Sequence, residues 1–134
     1  MIAILTIDLD RFKKFNEEGG TAAGDLLLRS AAHRLRGALR KVDTLARIGA
    51  DEFSALCEGI HTAEDAEAVG AKVLESLAQP FFLQGEAVVV TASIGISIFP
   101  THGSDLNGLV ALSRMAMLEA RHGGGSRAVL FRRP

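Results

Sequence analysis

At 134 residues and 48% hydrophobic content, the chain is long enough to bury one core without disulfide or metal staples. With 15 Lys and Arg against 16 Asp and Glu there is no bulk pull toward nucleic acid or an anionic membrane, and the single cysteine, Cys57, excludes an internal disulfide and fits a reducing compartment. No apolar run reaches the roughly 20 residues that cross a bilayer, and Met1 leads straight into a strand without the basic start of a signal peptide, so a cytoplasmic location is expected.

Residues Ile2 to Asp8 are apolar on both faces, the pattern of a central strand covered on both sides, and the strand ends in acids, Asp8 and Asp10. Phe12 to Glu18 reads as a short helix broken by Gly19-Gly20. The next helix carries Leu28, Ala31, Leu35 and Leu39 on one stripe. Thr44 to Ile48 and Phe53 to Cys57 form a predicted hairpin, with Phe53, Ala55 and Cys57 on one face.

A third helix starts at Thr62, whose hydroxyl can cap it while Asp65 favours the positive helix end; Ala66, Val69, Val73 and Leu77 form its buried side, and Pro80 stops it. Phe81 to Leu83 and a long run from Glu86 to Phe99 read as strands, with Gly95 marking a bulge or a close approach. The last helix, about Asp105 to Arg121, is expected to bury Leu106, Leu109, Val110, Ser113, Met117 and Ala120. Gly123-Gly124-Gly125 ends it, and Ala128 to Phe131 closes the chain with a short strand. The order β-α-α-β-β-α-β-β-α-β defines an α+β sandwich with mostly antiparallel strands.

Between the two hairpin strands lies Gly49-Ala50-Asp51-Glu52-Phe53, which places adjacent carboxylates at a turn where they repel each other. Together with Asp8 and Asp10 they point to a phosphate site assisted by Mg²⁺; taken alone, the loop reads sooner as a solvated turn. His33, His61, His102 and His122 show no paired metal spacing and read as surface residues. Cys57, on a core-facing strand, reads as an inert hydrophobe.

The segments DLDRFKKFN, AAGD, RKVDTLARIGADEF and VTASIGISIFP stand in the order and spacing of a bacterial GGDEF domain, and over nearly its whole length the chain resembles that family, which contains the diguanylate cyclases. The later wording, PFFLQGEAVVVTASIGISIFPTHG and VLFRRP, resembles the GGDEF half of tandem proteins in which a cyclic di-GMP phosphodiesterase domain follows. The resemblance implies one domain over residues 1–134, without the family's usual N-terminal helix segment. It also implies a central, mostly antiparallel five-stranded sheet flanked by helices, similar to the palm of nucleotide cyclases and polymerases.

Carried over by position, the resemblance implies GTP above the hairpin with two Mg²⁺ ions, or Mn²⁺ in their place. Asp8 and Asp51 would ligate the metals with the Leu9 carbonyl, Glu52 would stand close behind, and Asp51 and Glu52 would be the catalytic pair. Asn16 and Asp25 would read guanine, the amides of Arg11 to Lys13 with the Lys13 ammonium would hold the β- and γ-phosphates, and Gly49, Ala50 and Arg121 would complete the substrate site. Arg40 and Asp43 reproduce the family's RxxD inhibitory site for cyclic di-GMP. The implied reaction condenses two GTP to cyclic di-GMP in a homodimer, one GTP per domain. Attached sensory or phosphodiesterase domains are implied partners, and neither nucleic acid nor membrane is.

Against turnover stand several departures. Ala50 replaces the signature's second glycine, and a positive φ there would cost about 1–2 kcal/mol and crowd the nucleotide. Arg121 stands for the family lysine and Gly125 for its arginine. Leu118 replaces a tyrosine, Arg114 an acid, and Thr21 a histidine. Two functions therefore compete: a diguanylate cyclase domain, and a degenerate module that binds GTP or cyclic di-GMP, or only dimerises, and regulates an attached domain.

Overall fold

In the computed structural model, which describes residues 1–133, strand β1 (Ile2–Leu9) lies at the centre. It pairs antiparallel with β3 (Glu52–Cys57) on one side and β6 (Ala92–Phe99) on the other. β2 (Thr44–Arg47) extends the sheet antiparallel to β3, and β7 (Arg127–Leu130) runs parallel to β6, giving the order β2-β3-β1-β6-β7. Helices α1 (Phe12–Gly19), α2 (Thr21–Ala38), α3 (Ala63–Ala78) and α4 (Leu106–His122) flank the sheet. This is the expected α+β fold with a mostly antiparallel five-stranded sheet. The one parallel pair needs a crossover, which α4 supplies.

β1 alternates between two covered faces. Ala3, Leu5, Ile7 and Leu9 join Leu27, Leu35 and Val73 in the main core. Ile4, Thr6 and Asp8 point to the other face, where the Thr6 and Ser113 hydroxyls meet at 2.6 Å and so tie β1 to α4. Gly95 on β6 is the close-approach point: a Cβ there would overlap the Ser113 carbonyl oxygen and the Met117 nitrogen, and would lie 2.9 Å from the Ala116 carbonyl carbon. With no side chain in between, α4 lies directly on the strand. Thr62 caps α3 as expected, its hydroxyl accepting from the Asp65 amide at 3.1 Å while the Asp65 carboxylate accepts from the Thr62 amide at 3.1 Å.

Three expectations need correction. The run from Glu86 to Phe99 is two strands: β5 (Glu86–Val88) turns back on β4 (Phe81–Leu83) as a separate hairpin, and the chain leaves that pairing at Val89 to enter β6 at Ala92. Positive φ at both Gln84 (51°) and Gly85 (83°) makes the tight turn that folds β5 back. Leu106, the first residue of α4, is 56% exposed rather than buried, and Val69 and Val110 are only half-buried. Finally, Glu52 is not a loop residue; it is buried in β3 ahead of Phe53, so the turn itself is Ile48 to Asp51. No helix among the described residues is long and apolar enough to cross a membrane.

Candidate functional site

The ends of β1 and β3, the start of α1 and the end of α4 enclose an open cleft of about 800 Å³. Leu9, Asp51, Glu52 and Ala50 line it from the strands and turn, Lys13 and Asn16 from α1, and Arg121 from α4. Asp8 sits among them, fully buried, as the cross-strand partner of Glu52. Cross-strand partners in an antiparallel pair project to the same face, so these two acids look toward α4 together. Asp51 is drawn alongside by a backbone bond, the Leu9 amide donating to the Asp51 carbonyl at 3.3 Å.

Asp8 Oδ1 receives no hydrogen bond although the residue is buried, and among the described residues Oδ2 is met by the Arg121 guanidinium alone. Buried carboxylates are normally satisfied by donors, so an orphan of this kind is costly for folding and suits a ligand that brings its own charge. Its one counter-charge is the Arg121 guanidinium, half-exposed at the end of α4. Among the described residues no group of three His, Cys, Asp or Glu side chains is gathered tightly enough to cage a metal. That donor set fits Mg²⁺ all the same, because Mg²⁺ rests on one or two carboxylates with water and substrate phosphate supplying the rest.

Burial pushes the Asp51 carboxyl above its ordinary value, offset in part by its own backbone hydrogen bond and by Arg114 and Arg47. A raised carboxyl pKa means the folded state holds the proton more tightly than the unfolded chain. Stability therefore falls as pH rises from about 3.9 through the raised folded value. Asp51→Asn should stabilise the protein at neutral pH and lose that advantage below about pH 4, checked by thermal melts across pH. An advantage independent of pH would remove desolvation as its cause.

The turn is preformed: the Arg47 guanidinium donates to the Gly49 carbonyl at 3.0 Å and the Ala50 carbonyl at 2.7 Å. Neither Gly49 nor Ala50 is among the residues with positive φ, so the strain expected at Ala50 is absent. An ordinary alanine fits here, and Ala50→Gly is expected to leave nucleotide affinity within about twofold and to cost up to about 1 kcal/mol of stability through backbone entropy. A clear rise in affinity, read by calorimetry, would restore the crowding argument.

α1 opens at Arg11, a non-glycine residue at φ 57°, with no side-chain cap, which leaves its first amides free beside Lys13 on the cleft side. Asn16 packs against Gly24, where a Cβ would lie 3.0 Å from the Asn16 amide carbon. Asp25 is not brought into this cleft: exposed on α2, it lines a separate pocket with Arg29 and Arg47. Nor is it in the first turn of α2, which starts at Thr21, so a helix-dipole role for Asp25 does not hold.

Arg40 and Asp43 lie apart from the cleft and bind each other. Asp43 is buried and accepts from the Arg40 amide at 2.8 Å and from its guanidinium at 3.0 Å; Arg40 also reaches the Glu58 carbonyl. Cys57 is a buried thiol pushed up to about 11, chiefly by burial, which agrees with inertness. His33, His61 and His122 are exposed as expected. His102 is half-buried, its Nδ1 accepting from the Ile98 amide at 2.8 Å.

Two features escaped sequence reasoning. Arg114 on α4 grips Glu52, Nη1 to Oε2 at 2.6 Å. The only sequence signal was that Arg114 and Arg121 stand seven apart, two turns along one helix face. Asp10, paired with Asp8 in the sequence reading, is a structural latch: it accepts from the Thr91 and Ser93 hydroxyls at 2.6 Å each and from the Ser126 amide at 2.9 Å. Gly125 closes over this latch at φ 72°, where a Cβ would lie 2.7 Å from Asp10 Oδ2.

An α+β domain whose central strands end in buried acids beneath a hairpin turn, with a helix start across the cleft, is the class this geometry defines. The family model "Diguanylate cyclase, GGDEF domain" matches residues 1–127, and the chain belongs to the GGDEF domain family. It is similar to the Pseudomonas aeruginosa diguanylate cyclase TpbB, 39% identical over 94% of this chain and 29% of that protein. It is also similar to the cyclic di-GMP phosphodiesterase NbdA of the same species, 31% identical over 98% of this chain and 17% of the relative. The solved GGDEF domain of TpbB superimposes with a TM-score of 0.96 at 35% identity, covering 99% of this chain and 83% of that one. The chain thus spans less than a third of the length of these two curated relatives.

Proposed function

We propose that this domain is of diguanylate cyclase type, taking GTP and a divalent cation and, as a homodimer, condensing two GTP to cyclic di-GMP. The observation that carries the reading is the fully buried Asp8 carboxylate, met by no donor other than the half-exposed Arg121 among the described residues, beside Asp51 at the end of the central strands. Asp8, Asp51 and the Leu9 carbonyl would hold Mg²⁺ or Mn²⁺. When bound, the cation supplies positive charge to the phosphates and acidity to an attacking hydroxyl. The amides at the start of α1 and the Lys13 ammonium take the terminal phosphates, Asn16 takes the guanine edge, and Arg121, exposed at the cleft, can turn from Asp8 to phosphate. The Arg40 and Asp43 pair is the proposed site of product feedback, and an attached phosphodiesterase or sensory domain is the proposed partner.

A second reading, a module that binds nucleotide without turning it over, is favoured by one observation: both cleft acids on the sheet are already paired to arginines of α4. Incubation of the purified protein with GTP and Mg²⁺, followed by mass detection of cyclic di-GMP, separates the two. Product that disappears with chelator supports the cyclase. Calorimetric GTP binding without product supports the module, and no binding to wild type with or without metal would overturn both.

A further inference from the structure

Two acids on the sheet face two arginines on one helix face. Asp8 and Glu52 are cross-strand partners, 0% and 8% exposed, and Arg121 and Arg114 lie opposite them two turns apart on α4. The Glu52 to Arg114 contact is short, and its partners are unequal in burial: the Glu52 side chain is 11% exposed, the Arg114 side chain 52%. The acid is therefore fixed by the sheet, whereas the arginine has solvent to return to. A charge held this way neutralises the acid without closing off the site.

Resting on the cation reading of Asp8 and Asp51 above, we propose that Arg114 is a resident counter-ion that sets the site's affinity for free divalent cation. The three acids Asp8, Asp51 and Glu52 carry three negative charges, and Arg114 and Arg121 return two positive ones at contact distance. A divalent ion entering without nucleotide meets a nearly neutral cluster and must displace Arg114 to gain Glu52's charge. Removing the guanidinium returns one full negative charge to a poorly solvated cluster, where charges a few ångströms apart interact far more strongly than in water. The metal-free fold, in turn, is stable with Arg114 present because Glu52 is never left as an uncompensated buried charge.

The test uses Mn²⁺ alone, titrated into wild type, Arg114→Gln and the double variant Arg114→Gln/Glu52→Gln, with free Mn²⁺ read by electron paramagnetic resonance. Arg114→Gln is expected to bind roughly tenfold more tightly than wild type, and the double variant to return to within about threefold of it. Thermal melts supply the second readout. Saturating Mn²⁺ should raise the melting temperature of Arg114→Gln more than that of wild type, and if this variant is unfolded without metal, Mn²⁺ should restore its helical circular dichroism. Wild-type binding with no gain in Arg114→Gln, no recovery of an unfolded Arg114→Gln, or a double variant as tight as the single, would overturn the counter-ion role and leave the cation reading standing. Absence of Mn²⁺ binding in every variant would overturn both.

Discussion

Gly95→Ala should be the most damaging single-methyl change in the molecule, with a loss of about 3 kcal/mol or more and a melting temperature lower by roughly 10 °C. The added Cβ would meet main-chain atoms of α4, the Ser113 carbonyl oxygen and the Met117 nitrogen, not a side chain that could rotate away. Relief requires α4 to move off β6. That movement would break the Thr6 to Ser113 hydroxyl contact and carry Arg114 and Arg121 away from their acids. Chemical denaturation of the variant checks the result; a loss below about 1 kcal/mol would mean that α4 is far less firmly seated than its contacts indicate.

Asp8→Asn should do the opposite, sparing the fold and removing the function. An amide of the same shape keeps its place between β3 and β6, its oxygen can still accept from Arg121, and the half-exposed guanidinium can otherwise turn to solvent, so apo stability should change by less than about 2 kcal/mol. Cation-dependent GTP binding should vanish. Any cyclic di-GMP formation should fall by at least about a hundredfold, since metal assistance contributes several kcal/mol and each 1.4 kcal/mol is a factor of ten. Parallel melts and product assays check both halves; retained activity in a well-folded Asp8→Asn protein would end the assignment of Asp8 as a ligand.

The elements that could be read from the chain were those with an unbroken local signal. β1 was legible because a short run, rich in isoleucine and apolar on both faces, suits a strand covered twice, and the start of α3 because Thr62 and Asp65 satisfy each other within one turn. The break between β5 and β6 was not, since Ala87-Val88-Val89-Val90 is an uninterrupted β-type run and nothing in it signals that the chain changes partner. At the site, Leu9, Lys13, Asn16, Ala50, Asp51, Glu52 and Arg121 line one cleft, with Asp8 buried as the cross-strand partner of Glu52. Asp25 went elsewhere: Gly24, one residue before it on α2, meets Asn16, while Asp25 itself lines a separate pocket with Arg29 and Arg47. Arg114's grip on Glu52 joins residues 62 apart, a pairing that only the packing of α4 on the sheet creates. The conformation at Ala50 was equally hidden, since φ at a turn depends on how Arg47 holds the neighbouring carbonyls.

The Asp10 latch has a consequence for the order in which the molecule assembles. Its three donors lie 81, 83 and 116 residues away along the chain, so the floor of the cleft closes only when the first strand has met segments from the last third of the sequence. Contacts of such separation are entropically late in folding. A nascent chain that has released β1 to β3 already holds all three cleft acids, yet it lacks both the latch and the arginines that neutralise them. Its acids remain dispersed in water until α4 and the Ser126 turn arrive, so the buried, charge-paired cluster exists only once the domain is complete.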